Sequence, residues 1–176
     1  MNKKVVNKVV YLVFIFLIAA ILGGLIEILY QIILRGDYKI GGFLYGPIRP
    51  IYGWGALLLH SIGKKFNKNF IILFIASFII CSLFEYISSF ILELLFNHKW
   101  WDYSDFFLNI NGRICLIISI CWGFLSTIFN LAIEPLLLKI YNKSNKQILY
   151  TIMIVIFVIY FIDSVVSISN NLIMYW

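Results

Sequence analysis

The sequence predicts an all-α integral membrane protein, a bundle of about five transmembrane helices, and three observations carry that reading. Hydrophobic residues make up 62% of the chain and charged residues only 12%, with a mean hydropathy of +0.97, which leaves too little polar surface for a soluble domain. Apolar runs long enough to cross a bilayer recur along the chain. Four of them contain carboxylates: Glu27, Glu85 with Glu93, Glu134, and Asp163. A charge in lipid costs at least about 2.5 kcal/mol, so these acids predict a shared polar interior.

The expected spans are about 9–34, 47–62, 70–96, 114–140 and 149–174, within a single membrane domain 1–176. The first is too long and, at Glu27, too acidic for a signal-peptide core, and is expected to remain as a helix. Gly23, Gly24 and Gln31 share its Glu27 face. The second span is short and follows a Gly/Pro-rich irregular segment running from Gly41 to Gly55. Its prolines remove donors and bias their predecessors out of the helical region, so no regular helix is expected before about Ile51. Because the segment is nonetheless apolar, it is expected to dip into the bundle from outside. A tight interfacial turn anchored by Phe43, Tyr45, Tyr52 and Trp54 is the alternative. In the third span Ser82, Ser89 and Glu93 fall beside Glu85, and in the fourth Ser119, Gly123, Ser126, Asn130 and Glu134 occupy one arc. In the last, Tyr160, Asp163, Ser167 and Asn170 do the same.

Net charge is +6, and its distribution suggests topology. With five crossings, Lys3, Lys4, Lys8, Lys64, Lys65, Lys68, Lys139, Lys143 and Lys146 fall on one side, and Arg35, Lys39, Arg49, Lys99 and Arg113 on the other. The positive-inside rule then places the N-terminus in the cytoplasm and the C-terminus outside a bacterial plasma membrane. The lysine clusters are short and tied to helix ends, so they suit anionic lipid headgroups rather than nucleic acid. Cys81, Cys115 and Cys121 match no metal or redox spacing and are expected to pack as buried thiols.

The second outer connection is dense in aromatic and polar residues: Trp100, Trp101, Asp102, Tyr103, Asp105, Asn109, Asn111 and Arg113. The tryptophans suit a headgroup-level belt. Asn111 or Gly112 is expected to cap the fourth helix, which would put Arg113 in its first turn, the unfavourable end of the helix dipole for a cation. Such an arginine calls for an anion. Candidates are Asp102, Asp105, Glu93 and Glu85 within the chain, or a phosphate or carboxylate of a substrate.

The runs Gly42-Phe43-Leu44-Tyr45-Gly46-Pro47, Pro50-Ile51-Tyr52-Gly53-Trp54-Gly55, Phe84-Glu85-Tyr86, Trp100-Trp101-Asp102-Tyr103-Ser104 and Asn109-Ile110-Asn111-Gly112-Arg113-Ile114-Cys115 resemble a family of small bacterial membrane proteins described as putative ABC-transporter type IV permeases. The resemblance covers roughly residues 20–135. Arg49 stands where many members carry cysteine, and Phe106-Phe107 replaces a proline-containing turn. The resemblance implies transport and, because Gly63-Lys64-Lys65 is no phosphate-binding loop, a separate ATPase subunit.

Glu27 and Glu85, each followed by an irregular connection and a Trp-Gly pair (Trp54-Gly55 and Trp122-Gly123), suggest two parallel helix-pair repeats with the fifth helix added. The expected function is movement of a small solute through the acid-lined bundle, with Tyr52, Trp54, Trp100 and Trp101 offering rings to an organic cation. No cofactor or metal is expected, His60 and His98 being too few for a site. Self-association would help enclose a pathway. Two other classes stay open: a membrane enzyme acting on lipids or envelope intermediates through Glu85, Glu93, Asp102, Asp105 and Arg113, and a non-catalytic accessory subunit.

Overall fold

The computed structural model describes residues 3–35, 43–66 and 69–175. Lys39, Gly41, Gly42 and Lys68, used in the reading above, lie outside the described residues. Among the described residues there are five helices: α1 (Lys3–Arg35), α2 (Pro50–Lys65), α3 (Phe70–Phe96), α4 (Leu116–Lys143) and α5 (Lys146–Tyr175). Among the described residues there is no strand. All except α2 are long and apolar enough to cross a membrane. The 16 residues of α2 reach only about 24 Å at 1.5 Å per residue, short of a hydrocarbon core of about 30 Å.

The irregular stretch before α2 accounts for its shortness. Pro47 and Pro50 withhold the donors a longer helix would need, and the helix starts at the second proline, where a missing N–H costs nothing. The preceding segment is anchored on the protein by Leu44, Ile48 and Arg49, which are buried, while Tyr45 and Pro47 stay exposed.

Packing divides the chain into two units, Met1–Leu57 with Leu136–Asn170, and Leu58–Pro135 with Asn171–Trp176. In the first unit α1 buries Tyr11, Phe14, Ile15, Leu17 and Ala20, with Tyr141 of α4 set edge-on against Tyr11 at 5.1 Å. In the second unit α3 packs on α4. Its buried residues Leu73, Ser77, Cys81, Glu85 and Ser89 recur every four positions and form one inward stripe. The opposite face offers Ile75, Ile79, Leu83 and Ile87, as expected of a surface solvated by lipid. Asn69 caps α3, accepting from the Ile72 amide at 3.2 Å.

The α4 helix begins at Leu116 with Cys115 as its cap residue and no side-chain cap bond. Asn111 and Gly112 therefore do not cap it. They turn the chain instead, with φ of 54° and 68°, and Arg113 sits in the connection rather than in the first helical turn. A π-helical turn over Phe129–Ile133 interrupts α4, the Glu134 amide reaching back to the Phe129 carbonyl. Pro135 follows at once: it removes one ladder donor and crowds the carbonyl four residues back, which the wider turn relieves. Cys81 and Cys115 are buried as expected, whereas Cys121 is exposed on α4.

A repeat is visible inside the two units, in a different register from the Trp-Gly pairs. The Phe16 ring lies over Gly53, and the Phe74 ring over Gly123; a methyl added to either glycine would come within 2.6 Å of that ring. Phe16 meets Trp54 edge-on at 5.3 Å and 72°, and Phe74 meets Phe124 at 5.0 Å and 72°. Glu27 accepts from Tyr52, and Glu85 from Trp122. Residues 16 and 27 map to 74 and 85, a step of 58, while 52, 53 and 54 map to 122, 123 and 124, a step of 70. The extra 12 residues of the second unit lie between Glu85 and Trp122. Thus Tyr52-Gly53-Trp54 corresponds to Trp122-Gly123-Phe124.

Candidate functional site

In the first unit two carboxylates and one arginine fix the irregular segment. Its backbone groups cannot pair within a helix, and unpaired amides are costly away from water. The Tyr45 and Gly46 amides donate to the two oxygens of Asp163, at 3.1 and 2.9 Å. Ser167, one turn along α5, donates to the same carboxylate at 3.1 Å. Arg49 folds back and donates to the Leu44 and Gly46 carbonyls at 3.1 and 2.6 Å. Its Nε lies 3.5 Å from Glu27, and Glu27 also accepts from the Tyr52 hydroxyl at 3.1 Å and from Gln31 at 3.5 Å. The Arg49 amide donates to the Ala20 carbonyl of α1 at 3.0 Å. Gly24 permits this approach, since the Pro47 carbonyl occupies the place of its missing side chain. Trp54 is half exposed and touches Phe16.

In the second unit Glu85 is 5% exposed and accepts from two neutral donors, the Trp122 indole at 2.9 Å and the Tyr103 hydroxyl at 3.1 Å. One turn earlier on α3, Ser82 donates to Ser119 of α4 at 2.7 Å. Contacts from the connection to Glu85, Tyr86 and Glu93 show that it folds back along the C-terminal half of α3. Arg113 pairs with Glu93 at 2.5 Å and lies over the Tyr86 and Phe90 rings. Of the partners considered for it, Glu93 is the one the structure supplies.

The rest of that connection is a hydrogen-bonded turn. Asp102 accepts from the Ser104 hydroxyl and amide, which hold its carboxyl below the ordinary range, with smaller help from Lys99 and Arg113. Asn109 donates to the Ser104 and Phe106 carbonyls and accepts from the Gly112 amide. Asn111 donates to the Tyr86 hydroxyl at 2.9 Å. The Trp101 indole donates to the Arg113 carbonyl at 3.1 Å, and Trp100 packs among Phe96, His98 and Tyr175. Asp105 is exposed at the tip.

A further pair lies toward the lysine-bearing end of α2: His60 Nδ1 is 2.6 Å from Glu134. Nearby Asn130, completely buried in the π turn, donates to the Leu59 carbonyl at 3.0 Å.

The predicted residues therefore gather into several small sets. Glu27 with Tyr52, Glu93 with Arg113, and Asp102 with the Asn109–Asn111 turn come together; Asp163, Glu85 and Glu134 each have their own partners. Four participants escaped the sequence reading as site residues: Arg49, His60, Tyr103 and Trp122. A buried indole needs an acceptor, so a tryptophan on the inward face of α4 was a usable signal for a carboxylate partner. For His60 the only signal was a titratable ring in an apolar helix.

These features define a multi-pass α-helical membrane protein with two irregular connections pinned by carboxylates. The chain belongs to the family described as putative ABC-transporter type IV, whose model matches residues 14–168. No curated protein and no solved structure matches it.

Proposed function

We propose that this protein is a permease component moving a small solute across the bacterial plasma membrane, with its membrane acids as the candidate solute or proton sites. The observation that carries this reading is the repeated plan: a helix with an inward glutamate, an irregular connection, and a return helix whose aromatic donor binds that glutamate. Parallel repeats with non-helical backbone at membrane depth are a recurrent design of transporters, because irregular backbone survives in lipid only where it is buried in protein or lines a cavity. Both occurrences lie where acids are concentrated.

In this reading the second crossing is a broken one, residues 43–49 completing what the short α2 leaves unspanned. The N-terminus and the lysine-rich turns then face the cytoplasm, and the C-terminus lies outside. The family suggests an ATPase partner, since this chain holds no phosphate-binding loop of its own; the membrane acids offer a second route, coupling of flux to a proton gradient. The test is reconstitution of purified protein in liposomes, with and without an imposed pH gradient, screening organic cations and envelope precursors, beside affinity capture for a co-purifying ATPase. Uptake or efflux above empty liposomes is expected. No flux under any gradient and no captured ATPase would overturn the reading.

A further inference from the structure

The repeat makes the two glutamates comparable, and they differ in their charged neighbours. In the first unit Gly24 packs against Pro47 and also against Arg49, whose Cγ lies 3.1 Å from the point a Gly24 side chain would occupy. The same steps of 58 and 70 carry Gly24 to Ser82 and Arg49 to Ser119, and those two serines bond each other at 2.7 Å. Glu27 thus has a resident cation and its twin Glu85 has two serines. Among the described residues no basic group lies within ion-pair reach of Glu85.

From this asymmetry we infer that Glu85 is the site of an exchangeable proton, whereas Glu27 is a fixed anion neutralised by Arg49. An ionised carboxyl without a counter-charge is costly in a poorly solvated place, and one beside an arginine is not. The partners of Glu85 tolerate both of its states. The Trp122 indole can only donate, and serves either form. The Tyr103 hydroxyl donates to the ionised carboxylate at Oε1, and on protonation can turn to accept the new O–H. One proton is taken up from solution and lodged on Oε1, with no other bond made or broken. Of the other titratable groups on α3, Cys81 lies one turn away, Tyr86 is the next residue and accepts from Asn111, and Glu93, two turns on, is engaged with Arg113.

The inference deepens the transport reading and rests on it only for its use, because the proton can be seen without flux. Infrared difference spectra of the protein in liposomes, recorded across the pH range in which it stays folded, should show a protonated-carboxyl C=O band that titrates. That band is expected to vanish in Glu85→Gln and persist in Glu27→Gln. In Tyr103→Phe, which keeps the carboxyl, it should shift in frequency and midpoint. Loss of the titrating band in Glu27→Gln, or spectra of Glu85→Gln identical to wild type, would overturn the assignment. Should Glu85→Gln fail to fold, an unshifted band in both Tyr103→Phe and Trp122→Phe would overturn it equally. A Glu85 band in a protein that moves no solute would sink the transport reading alone.

Discussion

Arg113 shows how a single residue ties sequence to structure here. Its Nη1 pairs with Glu93, its guanidinium covers two rings, and its carbonyl receives the Trp101 indole. Arg113→Ala strands Glu93, whose side chain is 34% exposed and so partly rehydrates. The expected cost is about 1–3 kcal/mol, the range for a partner removed from a charged hydrogen bond. Glu93→Gln in the same chain should recover part of that cost, read as melting temperature in detergent and compared as a double-mutant cycle. An additive pair of losses would show the contact to be idle. The pairing was foreseeable because an arginine amid apolar helices needs an anion. The helix dipole plays no part in it, since the chain turns at Asn111 and Gly112 with positive φ and Arg113 lies ahead of the helix that starts at Leu116.

At the scale of elements, the glycines that seat one helix on another should be equally intolerant in both units. Gly53→Ala and Gly123→Ala each push a methyl into a phenylalanine ring, and each should lose about 1–3 kcal/mol, the usual price of overpacking. Thermal unfolding followed by tryptophan fluorescence would check this, and a large loss in one with none in the other would break the proposed register. The helices themselves were legible from hydrophobic runs, α3 running Phe70–Phe96 between Asn69 and Asn97. The irregular segment before α2 was legible from its prolines and apolar character. Three things were not. The π turn in α4 depends on how Pro135 is absorbed, which periodicity does not report. The partner of Asp163 is backbone, the Tyr45 and Gly46 amides, and amides carry no sequence signature. The repeat shows in the sequence through Trp-Gly pairs that lie two positions out of step, because the structure matches roles rather than letters: a donor to the glutamate, a glycine under a ring, and an aromatic edge.

For the whole molecule, the charge pattern and the helix lengths meet at α2. Five crossings keep nine basic residues on one side, yet α2 is only 16 residues long. The account resolves this by letting residues 43–49 complete the second crossing. A cysteine introduced at Asp105 should then be labelled by an impermeant reagent in intact cells and one at Lys65 should not, in a background with Cys81, Cys115 and Cys121 replaced. The reverse pattern would place both irregular connections on the cytoplasmic side. The most direct test of the central claim is solute flux in liposomes under an imposed pH gradient, comparing wild type with folded Glu85→Gln. The account predicts flux that rises with the gradient in wild type and loses that dependence in Glu85→Gln. Equal, gradient-dependent flux in both proteins would contradict it.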